Sequence, residues 1–315
     1  MTDIDTRVHS LSATKRLALR RLLAEQGIGG VALLERTGSN LKMLRAGFPR
    51  LFLFPATEGG VGYMNGYLPH IPHDWGVFGC QTPGLDGEQD PYRTVDELAA
   101  HAVREIRVLQ PEGPYYLAGN CMGGLPAFET ARQLQSAGAE VALVLHLMPT
   151  FDRPWEELPT IDALQERALF DYAFIIERLL GRRIELPLDE IATVPEERRT
   201  DVLIEFLSAQ DGLSEVDPAV LRHRITVYQA NLSAMLAYRP AGGFDGTLQI
   251  LAVGEAARGE DVVHPNSPYA AALRAMDPNR VAITRVDAEA STLFDCAEPD
   301  MTRIGKQLHH ILATI

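Results

Sequence analysis

Gly119-Asn120-Cys121-Met122-Gly123 forms a G-x-C-x-G run between an apolar stretch, Tyr115–Ala118, and a helical one, Leu125–Ala137. A nucleophile on a tight strand-to-helix turn is held in a strained backbone conformation. Small residues two before and two after it let the neighbouring segments pass closely. The helix that follows offers free N–H groups and the positive end of its dipole, which favour first a thiolate and then an oxyanion. Cys121 is therefore the candidate nucleophile, with sulfur where such a turn more often carries a hydroxyl. An oxyanion needs two preorganised donors. The N–H of Met122 is expected to be one. The loop Pro55-Ala56-Thr57-Glu58-Gly59-Gly60 is expected to give the other, from Ala56 or Thr57. A buried, inert cysteine in a glycine turn would carry the same residues; the strand before and the helix after speak against it.

The elements that must position this turn follow from apolar patterning. Leu51–Phe54 and Val77–Cys80 read as short buried strands, the first closed by Pro55 and Gly59-Gly60. Thr94–Leu109 reads as a helix: Thr94 can cap it, Glu97 completes the capping pattern, and Leu98, Ala102 and Ile106 recur at fourfold spacing. After the turn comes a helix stopped by Gly138, then an almost unbroken apolar strand, Val141–Leu147, as a sheet covered on both faces requires. Strands Leu248–Val253 and Val281–Val286 and a helix Met301–Leu312 close the chain. Strands alternating with helices predict an α/β fold with a mainly parallel central sheet and helices on both faces. Residues 151–237 break the alternation and read as largely helical, the pattern of a lid inserted over the strand ends. Residues 11–26 read as a further amphipathic helix near the N-terminus.

Composition narrows the class. The chain has 315 residues, 46% hydrophobic and 23% charged, an ordinary globular balance. Its net charge of −13 repels nucleic acid at long range, so no nucleic-acid partner is expected. No apolar run is long enough for a membrane span, and the N-terminus has no secretory pattern. Cys80, Cys121 and Cys296 are too few and too scattered for a disulfide framework or a zinc site. A cytoplasmic setting is expected, with no metal and no cofactor of the protein's own.

The residues also resemble a known family. LFLFPATEGGVGYMNGYL, VFGCQTPGLDG, the long stretch TVDELAAHAVREIRVLQPEGPYYLAGNCMGGLPAFETARQLQSAGAEVALV, and VYQANLSAMLAYRPAGGFDGTLQILAV are similar to the thioesterase domains that release products from nonribosomal peptide and polyketide synthases. The resemblance runs from about residue 48 to the C-terminus. It implies an α/β-hydrolase domain over 48–315 with a mobile lid at about 151–237, preceded by an N-terminal helix and lead-in over 1–47. It also implies a small-molecule acyl or peptidyl thioester carried on the phosphopantetheine of a carrier protein. Some members of the family carry cysteine at the elbow. Both a free-standing protein and a domain of a longer one remain open.

Two positions depart from the family. Its acid ends the strand Val141–Leu147, where this chain has Met148; its histidine lies in a late loop, where this chain has Ala290. No histidine occurs between residues 265 and 308. The replacement candidates are His264 as base and Asp152 as acid, with Asp261 beside His264. His146, on the strand before Met148, reads as a buried, hydrogen-bonded core residue; His101 reads as a surface residue. A thiol, with a reference pKa of about 8.5, can attack a thioester with little help, whereas an alcohol cannot. Hydrolysis by water would feel a missing base more, since general bases contribute about 10²–10⁴-fold. Acyl transfer or cyclisation from Cys121 is therefore expected over hydrolysis. The alternatives are a degenerate thioesterase that only binds a carrier protein, and a cyclase or isomerase that does not use Cys121.

Overall fold

The computed structural model describes residues 39–149, 168–169, 171–172, 175–177, 183–213, 216–258, 262–263, 268–288 and 300–315. Seven strands form one sheet: β1 (Leu41–Arg45), β2 (Arg50–Phe54), β3 (Gly76–Cys80), β4 (Tyr115–Asn120), β5 (Val141–Leu147), β6 (Thr247–Val253) and β7 (Val281–Val286). Their spatial order is β1-β3-β2-β4-β5-β6-β7, antiparallel at the β1–β3 edge and parallel elsewhere. The mainly parallel sheet expected from the alternation is present. β1 was not anticipated; it lies within the 1–47 stretch and pairs with β3 from Leu41↔Cys80 onward. A 3-10 segment, Gly62–His70, was likewise not read from the sequence.

Both faces of the sheet are covered, which explains the near-continuous apolar strands. Phe52, Phe54, Leu117, Val144 and Ile250 point to one face and meet Ile106 of α1 (Val95–Leu109) and Leu125 and Phe128 of α2 (Gly124–Ser136). Leu51, Leu53, Ala118, Leu145 and Leu251 point to the other and meet Met64, Tyr67 and Ile71 of the 3-10 segment and its end, with Ile304, Leu308 and Ile311 near the C-terminus. The alternation along β2 and β4 is the period-two consequence of strand geometry. Thr94 caps α1 as expected: its hydroxyl accepts from the Glu97 N–H at 3.1 Å while the Glu97 carboxylate takes the Arg93 N–H at 3.2 Å.

The inserted region contributes α3 (Leu188–Thr193), α4 (Glu196–Ser208) and α5 (Pro218–Ala237). These pack around a core of their own, in which Leu169, Tyr172, Ile176, Leu203, Leu207 and Ile225 are buried. Leu169 and Tyr172, apolar residues that could equally have faced an acyl chain, are thus used for packing within this unit. α6 (Glu255–Arg258), α7 (Pro268–Arg274) and α8 (Asp300–Ala313) complete the chain. No helix among the described residues is long and apolar enough to cross a membrane.

Candidate active site

Cys121 follows β4 directly and opens a 3-10 turn, Cys121–Gly123, that runs into α2. Its φ is +52°, a left-handed conformation that non-glycine residues avoid. The thiol residue is partly exposed, while its neighbours Asn120, Met122 and Gly123 are buried. The strain is sustained by packing that leaves no alternative. A Cβ on Gly119 would strike the backbone of Gly123 and Gly124, and one on Gly123 would strike the carbonyls of Pro55 and Phe54. The two glycines of the G-x-C-x-G run are therefore required by contact, as their spacing implied.

His146 fixes the turn from behind. It is fully buried on β5, and its Nε2–H donates to the Cys121 carbonyl at 2.6 Å. Its Nδ1 lies 3.4 Å from the Tyr269 hydroxyl. Burial pushes its pKa down to about 4, against the pull of the Cys121 carbonyl. A neutral imidazole bonded to the backbone is a strut for the elbow, in agreement with its reading as a core histidine. His101, expected on the surface, is instead partly buried, 3.3 Å from Asn40 and 3.4 Å from Tyr92.

Met148 is the other non-glycine residue with positive φ among the described residues, at +50°, and it is buried. Asn120 pairs with Leu147, so Cys121 and Met148 leave adjacent strands at the same level. The place where the resemblance puts an acid thus carries an apolar side chain in a strained backbone. Asp152, Asp261, His264 and Ala290 lie outside the described residues.

The loop after β2 faces the elbow, and Tyr63 clamps the two together. Its hydroxyl accepts from the Ala56 N–H at 3.0 Å and from the Asn120 side-chain amide at 3.2 Å. Tyr67 donates to the other end of that amide at 3.1 Å. The Ala56 N–H, one of the expected oxyanion donors, is engaged by Tyr63, while Thr57 and Met122 are the other expected donors. The Thr57 carbonyl accepts from Asn231 of α5 at 2.8 Å, so the inserted region holds this loop as well. Tyr228, also on α5, donates to Asp171 at 3.1 Å. Tyr63, Asn120, Asn231 and Tyr228 had no role in the sequence reading. Asn120 alone carried a signal, as the neighbour of the nucleophile; the others depend on tertiary contacts that no motif displays.

Comparison with known proteins agrees with this geometry. Residues 49–172 match the family model described as Thioesterase domain. The chain is 29% identical over 199 residues to a dimodular nonribosomal peptide synthase of Bacillus subtilis (strain 168), which covers 61% of this chain and 8% of the synthase. It is 33% identical over 127 residues to a non-reducing polyketide synthase of Pseudevernia furfuracea, covering 39% of this chain and 6% of that protein. The chain thus spans under a tenth of these two relatives. Among solved structures, a four-domain nonribosomal peptide synthetase, AB3403, superposes with TM-score 0.69 at 19% identity, covering 88% of this chain and 20% of that one. The NocB thioesterase domain superposes with TM-score 0.55 at 20% identity, covering 86% of this chain and 99% of that one. The fold is that of the solved thioesterase domains, a mainly parallel α/β-hydrolase sheet with helices around it, and residues 49–172 are similar in sequence to a Thioesterase domain.

Two outcomes check this description. Gly123→Ala should lower stability by about 1–3 kcal/mol in denaturant unfolding, because its methyl has only backbone to meet. Gly60→Ala, with nothing among the described residues within 4 Å of its Cβ position, should change stability by no more than about 0.5 kcal/mol. His146 makes a second test. Its folded pKa of about 4 lies below the 6.5 usual for histidine, so the neutral form is favoured by folding. That contribution is whole above pH 6.5 and is lost as pH falls from 6.5 through 4, about 3 kcal/mol in all. His146→Gln should remove most of this slope from a stability-versus-pH series. An unchanged slope would contradict the buried neutral imidazole.

Proposed function

We infer that this chain is a thioesterase-type enzyme of natural-product biosynthesis, in which Cys121 takes an acyl or peptidyl group from a carrier protein and releases it by acyl transfer or cyclisation. The observation that carries the reading is Cys121 itself, held at φ +52° between β4 and α2. Strain of this kind persists where the surroundings over-determine it, and it concentrates at reactive sites. Homology to synthase thioesterase domains supports a thioester delivered on phosphopantetheine.

In this reading the thiolate attacks the thioester carbonyl, and the N–H groups of Met122 and Thr57 receive the oxyanion. The α2 N-terminus favours both charges. Exchange of one thioester for another is close to balanced in energy, so loading asks little of a base. Discharge asks more, and with Met148 and Ala290 at the acid and histidine positions an amine or thiol is a better acceptor than water. In this reading the inserted region, tied to the loop through Asn231, acts as the lid that selects the acyl group.

A carrier-binding role without turnover has one observation in its favour, the apolar Met148 at the acid position. It leaves the strained cysteine without a purpose, and the enzyme reading is preferred on that ground.

Incubation with a panel of acyl-pantetheine thioesters, followed by intact mass, tests the reading. The wild type should gain one acyl group and Cys121→Ala none, and the adduct should be lost faster to added amine or thiol than to water. Faster loss to water would contradict transfer. Absence of any adduct or thiol release above the variant would favour the carrier-binding role.

A further inference from the structure

Discharge of an acyl group from Cys121 releases a proton. As the acceptor bonds to the acyl carbon, its N–H or O–H proton must go to some group while the C–S bond breaks. Ala290 occupies the position of the family's histidine, so the proton needs another destination.

Glu58 stands in the loop that faces the elbow. Among the described residues, its Oε1 is shut off from solvent and has no hydrogen-bond partner. A buried carboxyl oxygen without a partner is costly and calls for an explanation. The loop around it is rigidly placed. The Gly59 N–H donates to Ala56 at 2.9 Å, Asn231 holds the Thr57 carbonyl at 2.8 Å, and the Thr82 N–H donates to the Gly59 carbonyl at 2.9 Å. Tyr63 bonds both Ala56, two residues before Glu58, and Asn120, one residue before Cys121. The elbow glycine Gly123 rests on the carbonyls of Phe54 and Pro55.

The titratable groups around Glu58 come from three elements. Tyr63 of the 3-10 segment and Tyr228 of α5 each interact electrostatically with both Glu58 and Cys121. Asp171 is bonded to Tyr228 from the far side. All are neutral or anionic groups. Burial pushes the Glu58 carboxyl up to about 7, against the opposing pull of its own backbone N–H.

We propose that Glu58 is the proton acceptor of the acyl-transfer step at Cys121, which rests on the reading of Cys121 as nucleophile. In discharge, the acceptor forms its bond to the acyl carbon and its proton passes to the Glu58 carboxylate. The C–S bond breaks and its electron pair leaves with Cys121 as thiolate. In the next loading, the thiolate attacks the carrier thioester, and protonated Glu58 gives its proton to the departing pantetheine sulfur. The cycle gains and loses no proton overall, and each half leaves the pair ready for the other. Because Oε1 is closed to bulk solvent, it serves an acceptor held beside the acyl chain better than free water. That gives transfer over hydrolysis a structural basis besides the missing histidine.

The test separates loading from discharge. Wild type, Glu58→Gln and Glu58→Asp are loaded with an acyl-pantetheine, then mixed with aminoacetonitrile, an amine weakly basic enough to stay unprotonated over most of the range. Adduct loss is followed by intact mass between about pH 5.5 and 8.5. Discharge of the wild type should rise with pH, bend near pH 7 as the carboxyl ionises, and level off. Glu58→Gln should still load, but discharge about 10²-fold or more slowly and without that bend. Glu58→Asp should recover part of the rate and a bend, a result that misfolding of the glutamine variant could not produce. Glu58→Gln discharging at the wild-type rate with the same bend would overturn the role of Glu58 and leave Cys121 as nucleophile; a bend that vanishes instead in His264→Ala would assign it to that histidine. A wild type that never loads would remove the Cys121 reading and the role of Glu58 with it.

Discussion

The structure turns on one close crossing of backbones. β4 ends, the chain reverses at Cys121, and α2 begins, with Gly119 against Gly123 and Gly123 against the end of β2 and the residue after it. Any side chain at these glycines would push the turn open and let φ of Cys121 relax from its left-handed value. His146 closes the crossing from the β5 side by holding the Cys121 carbonyl. Three adjacent central strands thereby converge on one residue. Cys121 is left partly exposed at the crest of this crossing.

The chemistry follows from that constraint and from the choice of sulfur. A thiol at a helix N-terminus can reach its anionic form without an imidazole beside it, so a site can lose the residues that activate an alcohol and still acylate. What such a site cannot forgo is a destination for the acceptor's proton. The elbow and the Glu58 loop are locked together through Tyr63, and α5 of the inserted region is tied to the loop through Asn231. Cys121, the Thr57 segment and Glu58 are thus positioned by the same few hydrogen bonds, and movement of α5 would be felt at the loop.

Much of the fold was legible in the sequence because local patterns and tertiary demands agree. Val141–Leu147 and Val281–Val286 have the expected bounds, and Thr94 caps its helix with Glu97 as the spacing implied. β1 escaped notice because LKMLR has neither an unbroken apolar run nor a clean alternation; it is an edge strand, and pairing with β3 defines it more than composition does. The turn that holds Cys121 was legible for the opposite reason, since it demands particular residues at particular spacings. Glu58 was read only as part of a glycine loop. Nothing in its neighbours in sequence tells that its Oε1 is closed to solvent or that Tyr228, from α5 far along the chain, stands within electrostatic reach. The engagement of the Ala56 N–H by Tyr63 was hidden in the same way.

The central claim is that sulfur at the elbow replaces the activation an alcohol would need. Cys121→Ser changes one atom and keeps the turn, so single-turnover acylation from an acyl-pantetheine is its most direct test. The account predicts a correctly folded serine variant that acylates at least about 10²-fold more slowly than the wild type, the low end of what a general base supplies to an alcohol. A serine variant that acylates as fast as the wild type would contradict it, and would mean that a strong base serves position 121 after all.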